Sequence, residues 1–71
     1  MILFTANDCT SCIPVKKALA NIRHEVINLD SDEGLTVARN LGIRGVPTIV
    51  QNNLVTTGQQ QCLDLIGEHN E

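Results

Sequence analysis

Seventy-one residues, 42% of them hydrophobic, bound the chain to one small domain over residues 1–71 with a single core. A net charge of −3, with five basic residues spread apart except for Lys16-Lys17, leaves no electrostatic footprint for a phosphate backbone, and the lone aromatic, Phe4, offers no stacking platform, so nucleic acid is excluded as an expected partner. Three cysteines, two of them too close to staple distant segments, and no run near the 18 or more apolar residues of a membrane span set the expectation of a cytoplasmic, soluble, reduced-compartment monomer without membrane association.

The first element is an uninterrupted apolar run, Ile2-Leu3-Phe4, which suits a central strand covered on both faces. It gives way to Cys9-Thr10-Ser11-Cys12 and then to a helical pattern, with Val15, Ala18, Leu19 and Ile22 at i, i+3, i+4 and i+7. Pro14 is tolerable only in that helix's first turn, where its missing N–H breaks no helical bond. Cys12 lies three residues before Val15 on the same stripe and is expected to point inward, while Cys9, at the cap, stays accessible. A second strand is expected from about Glu25 to Leu29, followed by Asp30-Ser31-Asp32-Glu33, whose acids suit the start of a short helix. In that helix Leu35, Ala38 and Leu41 are expected to face the core, with Arg39 at its C-terminal end and Gly42 as a left-handed stop.

Ile43-Arg44-Gly45-Val46-Pro47 reads as a loop. Thr48-Ile49-Val50 and Leu54-Val55-Thr56 read as strands of a hairpin turned through Gln51-Asn52-Asn53, where consecutive asparagines tolerate positive φ. Gly58 ends the hairpin, and a last helix from about Gln60 to Glu68 puts Cys62, Leu63 and Ile66 at core spacings. The order β-α-β-α-β-β-α makes the first two strands parallel and the last two antiparallel, giving an α/β fold with a four-stranded mixed sheet and three helices.

The chemistry concentrates at Cys9 and Cys12. A helix start favours a thiolate, and thiols three residues apart near a βαβ pattern read as an exchanging dithiol. As a mere crosslink, a loop this short would remove only roughly 2 kcal/mol of unfolded-state entropy. Metal ligation is the other reading, but a zinc site needs about four ligands. His24 follows a helix of roughly ten residues, which sets it about 15 Å away. His24 and His69 therefore read as surface residues, no metal or other cofactor is expected, and Cys62 reads as a packed or surface thiol, with a secondary redox role left open.

Two segments carry a family resemblance: Cys9-Thr10-Ser11-Cys12 after the first strand, and Gly42-Ile43-Arg44-Gly45-Val46-Pro47-Thr48 before the hairpin. Together they resemble the thioredoxin-fold superfamily over essentially the whole chain. Length and element order look like a minimal glutaredoxin or a ribonucleotide-reductase redoxin, and the second segment is worded like a thioredoxin. The resemblance implies a small dithiol–disulfide oxidoreductase, a protein-disulfide reductase, with Cys9 and Cys12 catalytic. It makes Pro47 a cis-proline beside the dithiol and Val46 a backbone dock for an extended substrate segment. Thr10, Ser11, Arg44 and Gly58 complete the expected substrate-binding set.

The departures are informative too. Leu3 stands where thioredoxins carry a buried acid, leaving no internal general base, and Asp8 precedes Cys9 as a loop or cap acid. Gly58-Gln59-Gln60-Gln61 replaces the glutathione-holding segment of glutaredoxins. The expected partners are thus disulfide-bearing proteins, ribonucleotide reductase first among them, and an electron donor of thioredoxin-reductase type in preference to glutathione. A metal or iron–sulfur carrier using Cys9, or a redox-inert binding module on the same scaffold, are the alternatives.

Overall fold

The computed structural model describes residues 1–69, and for His69 the backbone alone. Seven elements follow one another: β1 (Ile2–Thr5), α1 (Cys12–Ala18), β2 (Glu25–Asn28), α2 (Asp32–Asn40), β3 (Thr48–Gln51), β4 (Leu54–Thr57) and α3 (Gln59–His69). The strands form one sheet in the order β2-β1-β3-β4, with β1 parallel to β2 and antiparallel to β3, and β3 antiparallel to β4.

β1 lies inside the sheet, and its pleat sends successive side chains to opposite faces. Leu3 joins Val15 of α1 and Leu19 just after it, Ile49 of β3, and Cys62 and Ile66 of α3 in one apolar cluster. Phe4 joins Ala38 of α2 and Ile43 in the other. The sheet therefore carries α1 and α3 on one face and α2 on the other, and the unbroken apolar run at the start of the chain is a strand buried on both sides. Each such side chain contributes about 1.5–3 kcal/mol on leaving water.

The hairpin forms as its asparagines require. Gln51 pairs with Leu54, and Asn52 and Asn53 take φ of 51° and 68°, the pair of positive values that a two-residue turn of matching twist demands. Gly42, at φ 74°, follows α2 as expected.

Two helices differ from the periodicity reading. α1 has seven residues and stops at Ala18, with Leu19 as its C-cap; the N–H of Ala20 then turns back to the Lys17 carbonyl and that of Ile22 to the Leu19 carbonyl. Ile22 still packs against the Leu3 cluster, but from this turn and not from the helix.

In α2 the core face is made by Gly34 and Ala38, while Leu35 and Leu41 are exposed at 37% and 49%. The reason is close approach. A Cβ on Gly34 would run into the backbone carbonyl of Asn28, at the end of β2, so the helix docks through its smallest residues and its leucines are turned outward. Ser31 holds the helix start, its hydroxyl accepting from the Gly34 N–H at 2.9 Å and donating to the Asn28 carbonyl at 2.8 Å.

Gly34→Ala is accordingly expected to destabilise the fold by about 1–3 kcal/mol, overpacking outweighing the gain in helix propensity. Gly67→Ala in α3, where an added Cβ meets nothing within 4 Å, should gain about 0.5–1 kcal/mol. Thermal denaturation of the two variants checks both signs.

Candidate active site

The turn that leaves β1 carries the cysteines to the start of α1. The N–H of Cys12 donates to the Cys9 carbonyl at 3.2 Å, and that of Ile13 to the Thr10 carbonyl at 3.2 Å, so Cys9-Thr10-Ser11 winds directly into the helix. Ser11 is the N-cap residue, in helical conformation, and its side chain makes no capping bond among the described residues. Cys9 thus sits two residues ahead of the cap.

Cys9 and Cys12 are joined by a disulfide, with their Cα atoms 5.3 Å apart. The two sulfurs are unequal. Cys12 is fully buried, whereas Cys9 is half-buried and opens on a shallow groove lined by Asn7, Asp8, Thr10, Ile13 and Lys16. Asp8 is exposed on the rim of this groove, and Ile13, half-exposed beside it, is an apolar side chain that sequence reasoning did not single out.

A polar network that was also missed ties this loop to the neighbouring turn. Asp30 accepts from the Asn7 N–H at 2.6 Å, Asn7 accepts from the Asn28 amide at 2.7 Å, and Asn28 accepts from the Asp30 N–H at 2.8 Å. The partners lie 21 and 23 residues from Asn7, so no local pattern could have shown them.

The second segment meets the first through the sheet. β1 and β3 pair antiparallel, with Phe4 opposite Thr48, so the end of β1 that leads to the cysteines and the start of β3 that follows Pro47 share one end of the sheet. The Val46–Pro47 bond is cis, and Pro47 is fully buried. The Pro47 carbonyl accepts from the Gly58 N–H at 3.0 Å and receives the Cys62 thiol at 3.7 Å; that thiol also points at the Thr56 carbonyl, 3.5 Å away.

Gly58 has φ 104°, a backbone region that side chains rarely adopt, and its carbonyl accepts the first bond of α3 from Cys62. Thr48 donates to the Gly45 carbonyl at 2.7 Å and pins the loop from below. Val46 packs against the Phe4 cluster, and no turn, loop or cap hydrogen bond of the described residues uses its backbone. Arg44 is exposed on the same loop, and Thr10 and Ser11 are exposed beside the disulfide.

The remaining ligand candidates do not join this cluster. His24 is half-buried, its Nδ1 donating to the Ile22 carbonyl at 2.6 Å beside Met1 and Glu25, at the opposite end of β1. The side chain of His69 lies outside the described residues. Among the described residues no three His, Cys, Asp or Glu side chains are grouped to hold a metal ion, and no helix is long and apolar enough to cross a membrane.

Cys62 is a core thiol. Burial pushes it above its ordinary value of 9.0, partly offset by the backbone of Ile49.

A mixed four-stranded sheet between α1 and α3 on one face and α2 on the other, with a cysteine pair where β1 meets α1, is the thioredoxin fold. No family model matches the chain. Among curated proteins it is similar to one named "Probable Thioredoxin" from Archaeoglobus fulgidus, 41% identical over 59 aligned residues, the match covering 75% of this chain and 65% of that protein. The chain therefore spans somewhat less than two-thirds of that relative's length.

Because the folded state holds the Cys62 proton more tightly than the unfolded chain, its contribution is complete below the unfolded value of 9.0 and is lost as pH rises through the folded value. Thermal midpoints are expected to fall as pH rises above the unfolded value of 9.0, and Cys62→Ala should lack that part of the slope. Cys62 should also resist alkylation until the chain unfolds, as thiol labelling across a denaturant series would show.

Proposed function

We propose that the chain is a small dithiol–disulfide oxidoreductase that reduces disulfides of other proteins, with Cys9 attacking and Cys12 resolving. The observation that carries this reading is the inequality of the two bonded sulfurs. Cys9 is half-buried beside an open groove and Cys12 is wholly covered, so an incoming disulfide reaches Cys9 alone.

In the reduced protein the Cys9 thiolate attacks one sulfur of the substrate disulfide, expelling the other as thiolate and leaving a mixed disulfide. Cys12, which gives its proton to solvent or to the departing thiolate, then attacks Cys9 Sγ; the substrate leaves as a dithiol and the Cys9–Cys12 disulfide re-forms. Two electrons have passed to the substrate, and an external dithiol or flavoprotein reductase must restore them.

The cis-Pro47 loop is the proposed docking strip. Val46's backbone, unused by the fold's own turns and caps, is suited to pair with an extended substrate segment, while Arg44, Thr10, Ser11 and Gly58 border the approach. The similarity to a probable thioredoxin, together with Gly58-Gln59-Gln60-Gln61 in place of a glutathione-holding segment, favours a donor of thioredoxin-reductase type. Ribonucleotide reductase is the first protein substrate to try, and a cytoplasmic, monomeric, single-domain protein over residues 1–71 is the matching setting.

Reduction of a protein disulfide is expected to vanish in Cys9→Ser, whereas Cys12→Ser should accumulate a mixed disulfide that can be isolated and its partner identified. Equal trapping by both variants would overturn the assignment of roles. Oxidised protein offered each reductant at cellular concentration should turn over faster with a thioredoxin-reductase-type flavoprotein than with glutathione; fast, saturable turnover with glutathione alone would make it a glutaredoxin instead.

A further inference from the structure

Thr5 is the last residue of β1 and is 2% exposed, and its Oγ1 is the one buried side-chain oxygen or nitrogen without a hydrogen-bond partner among the described residues. A buried hydroxyl left unpaired is costly, so such a group calls for an explanation in function. Its position supplies one.

The pleat puts Thr5 on the same face of β1 as Leu3, which packs against Val15 of α1 and its C-cap Leu19. Thr5 lies two residues beyond Leu3 toward the end of the strand that leads to the cysteines, and Cys12 lies one helical turn before Val15 toward the same end. Continuing the β1–β3 register sets Thr5 opposite Pro47, whose carbonyl receives the Cys62 thiol from α3. Thr5 and Cys12 are both shut off from solvent, yet neither belongs to either apolar cluster. Three elements thus converge at the end of the sheet from which the cysteine turn departs, and there Thr5 is a donor without an acceptor.

We propose that the Thr5 hydroxyl is held in reserve for Cys12, donating a hydrogen bond to its sulfur once the disulfide opens and so favouring the thiolate that resolves the mixed disulfide. The inference rests on the dithiol reading above and deepens it, since it supplies a polar aid to the resolving sulfur where Leu3 leaves no acid. In the oxidised state the Cys12 sulfur is already bonded and is a poor acceptor, and the hydroxyl is idle. In the reduced state the proton of Cys12 leaves for solvent or the departing thiolate, and the hydroxyl O–H stays on Thr5. The other charged or titratable groups at this end are Cys62 of α3, whose proton burial holds, Asp8 and Lys16 on the groove beside Cys9, Asp30 bonded to the Asn7 N–H, and Arg44 on the Pro47 loop.

The test uses the full chain, reduced, mixed with an aromatic nitrobenzoate disulfide that releases one coloured thiolate when Cys9 attacks and a second when Cys12 resolves. In Thr5→Val the first release should keep its rate, and the second should slow about tenfold at neutral pH with its pH midpoint raised by about one unit. Thr5→Ser, which keeps the hydroxyl, should restore the second release. Losing a bond made only in the reduced form also shifts the dithiol–disulfide equilibrium about tenfold toward the disulfide, a potential more negative by about 30 mV.

Thr5→Ala serves as a second hydroxyl-free variant should the valine fail to fold. Equal slowing of both releases, an unchanged potential, or a serine variant that behaves like valine would overturn the proposal, since each marks a merely structural threonine. Turnover of a protein disulfide by the unaltered chain is followed in parallel. Its failure removes the oxidoreductase reading, while the comparison of the two releases still decides the role of Thr5.

Discussion

The antiparallel register of β1 against β3 sets Leu3 beside Ile49 and Phe4 beside Thr48, and it also brings the two chemically important segments to one end of the sheet. Cys9-Thr10-Ser11-Cys12 leaves the last residue of β1, and Pro47 precedes the first residue of β3. A slip of one residue would exchange the two faces of β1, sending Leu3 toward α2 and Phe4 toward α1 and α3. The different sizes of the two side chains, each packed into its own cluster, oppose that slip. The core, which has no chemistry of its own, thereby determines which loop confronts the disulfide.

Much of this was legible in the residues because it depends on local chemistry. The apolar run of β1, the paired asparagines of the hairpin and the glycine after α2 each specify a backbone state within a few residues, and all three form as read. The dithiol turn was legible for the same reason, since three residues of separation fix its geometry. Cys12 on the buried stripe with Val15 and Leu19 follows from helical periodicity, even though α1 proves shorter than the stripe suggested.

What was not legible depends on contacts between distant segments. Hydrophobicity assigns Leu35 and Leu41 to the core and passes over Gly34, whereas the fit of α2 against the Asn28 carbonyl selects the residue with no side chain at all. The Asn7, Asn28 and Asp30 network has the same character: three ordinary polar residues hold the cysteine turn to the neighbouring turn through bonds that only the folded sheet can assemble. Asn28 serves both, its side chain bonding toward the cysteine turn while its backbone carbonyl receives Ser31 and limits Gly34. The docking of α2 and the placement of the Cys9 loop thus share one residue.

The buried Cys62 bears on the fidelity of oxidation. A chain with three cysteines has three ways to form a single disulfide, and a mispaired product would sequester one of the sulfurs that the proposed exchange requires. Here the odd thiol is enclosed by α3 and the hairpin, is engaged by the Pro47 and Thr56 carbonyls, and is kept protonated by its surroundings. Attack requires a thiolate with access to its target, and Cys62 has neither in the folded chain. The fold therefore acts as its own proofreading device: oxidants acting on the native molecule meet one competent pair, and scrambled isomers arise only from chains that have lost the hairpin or α3.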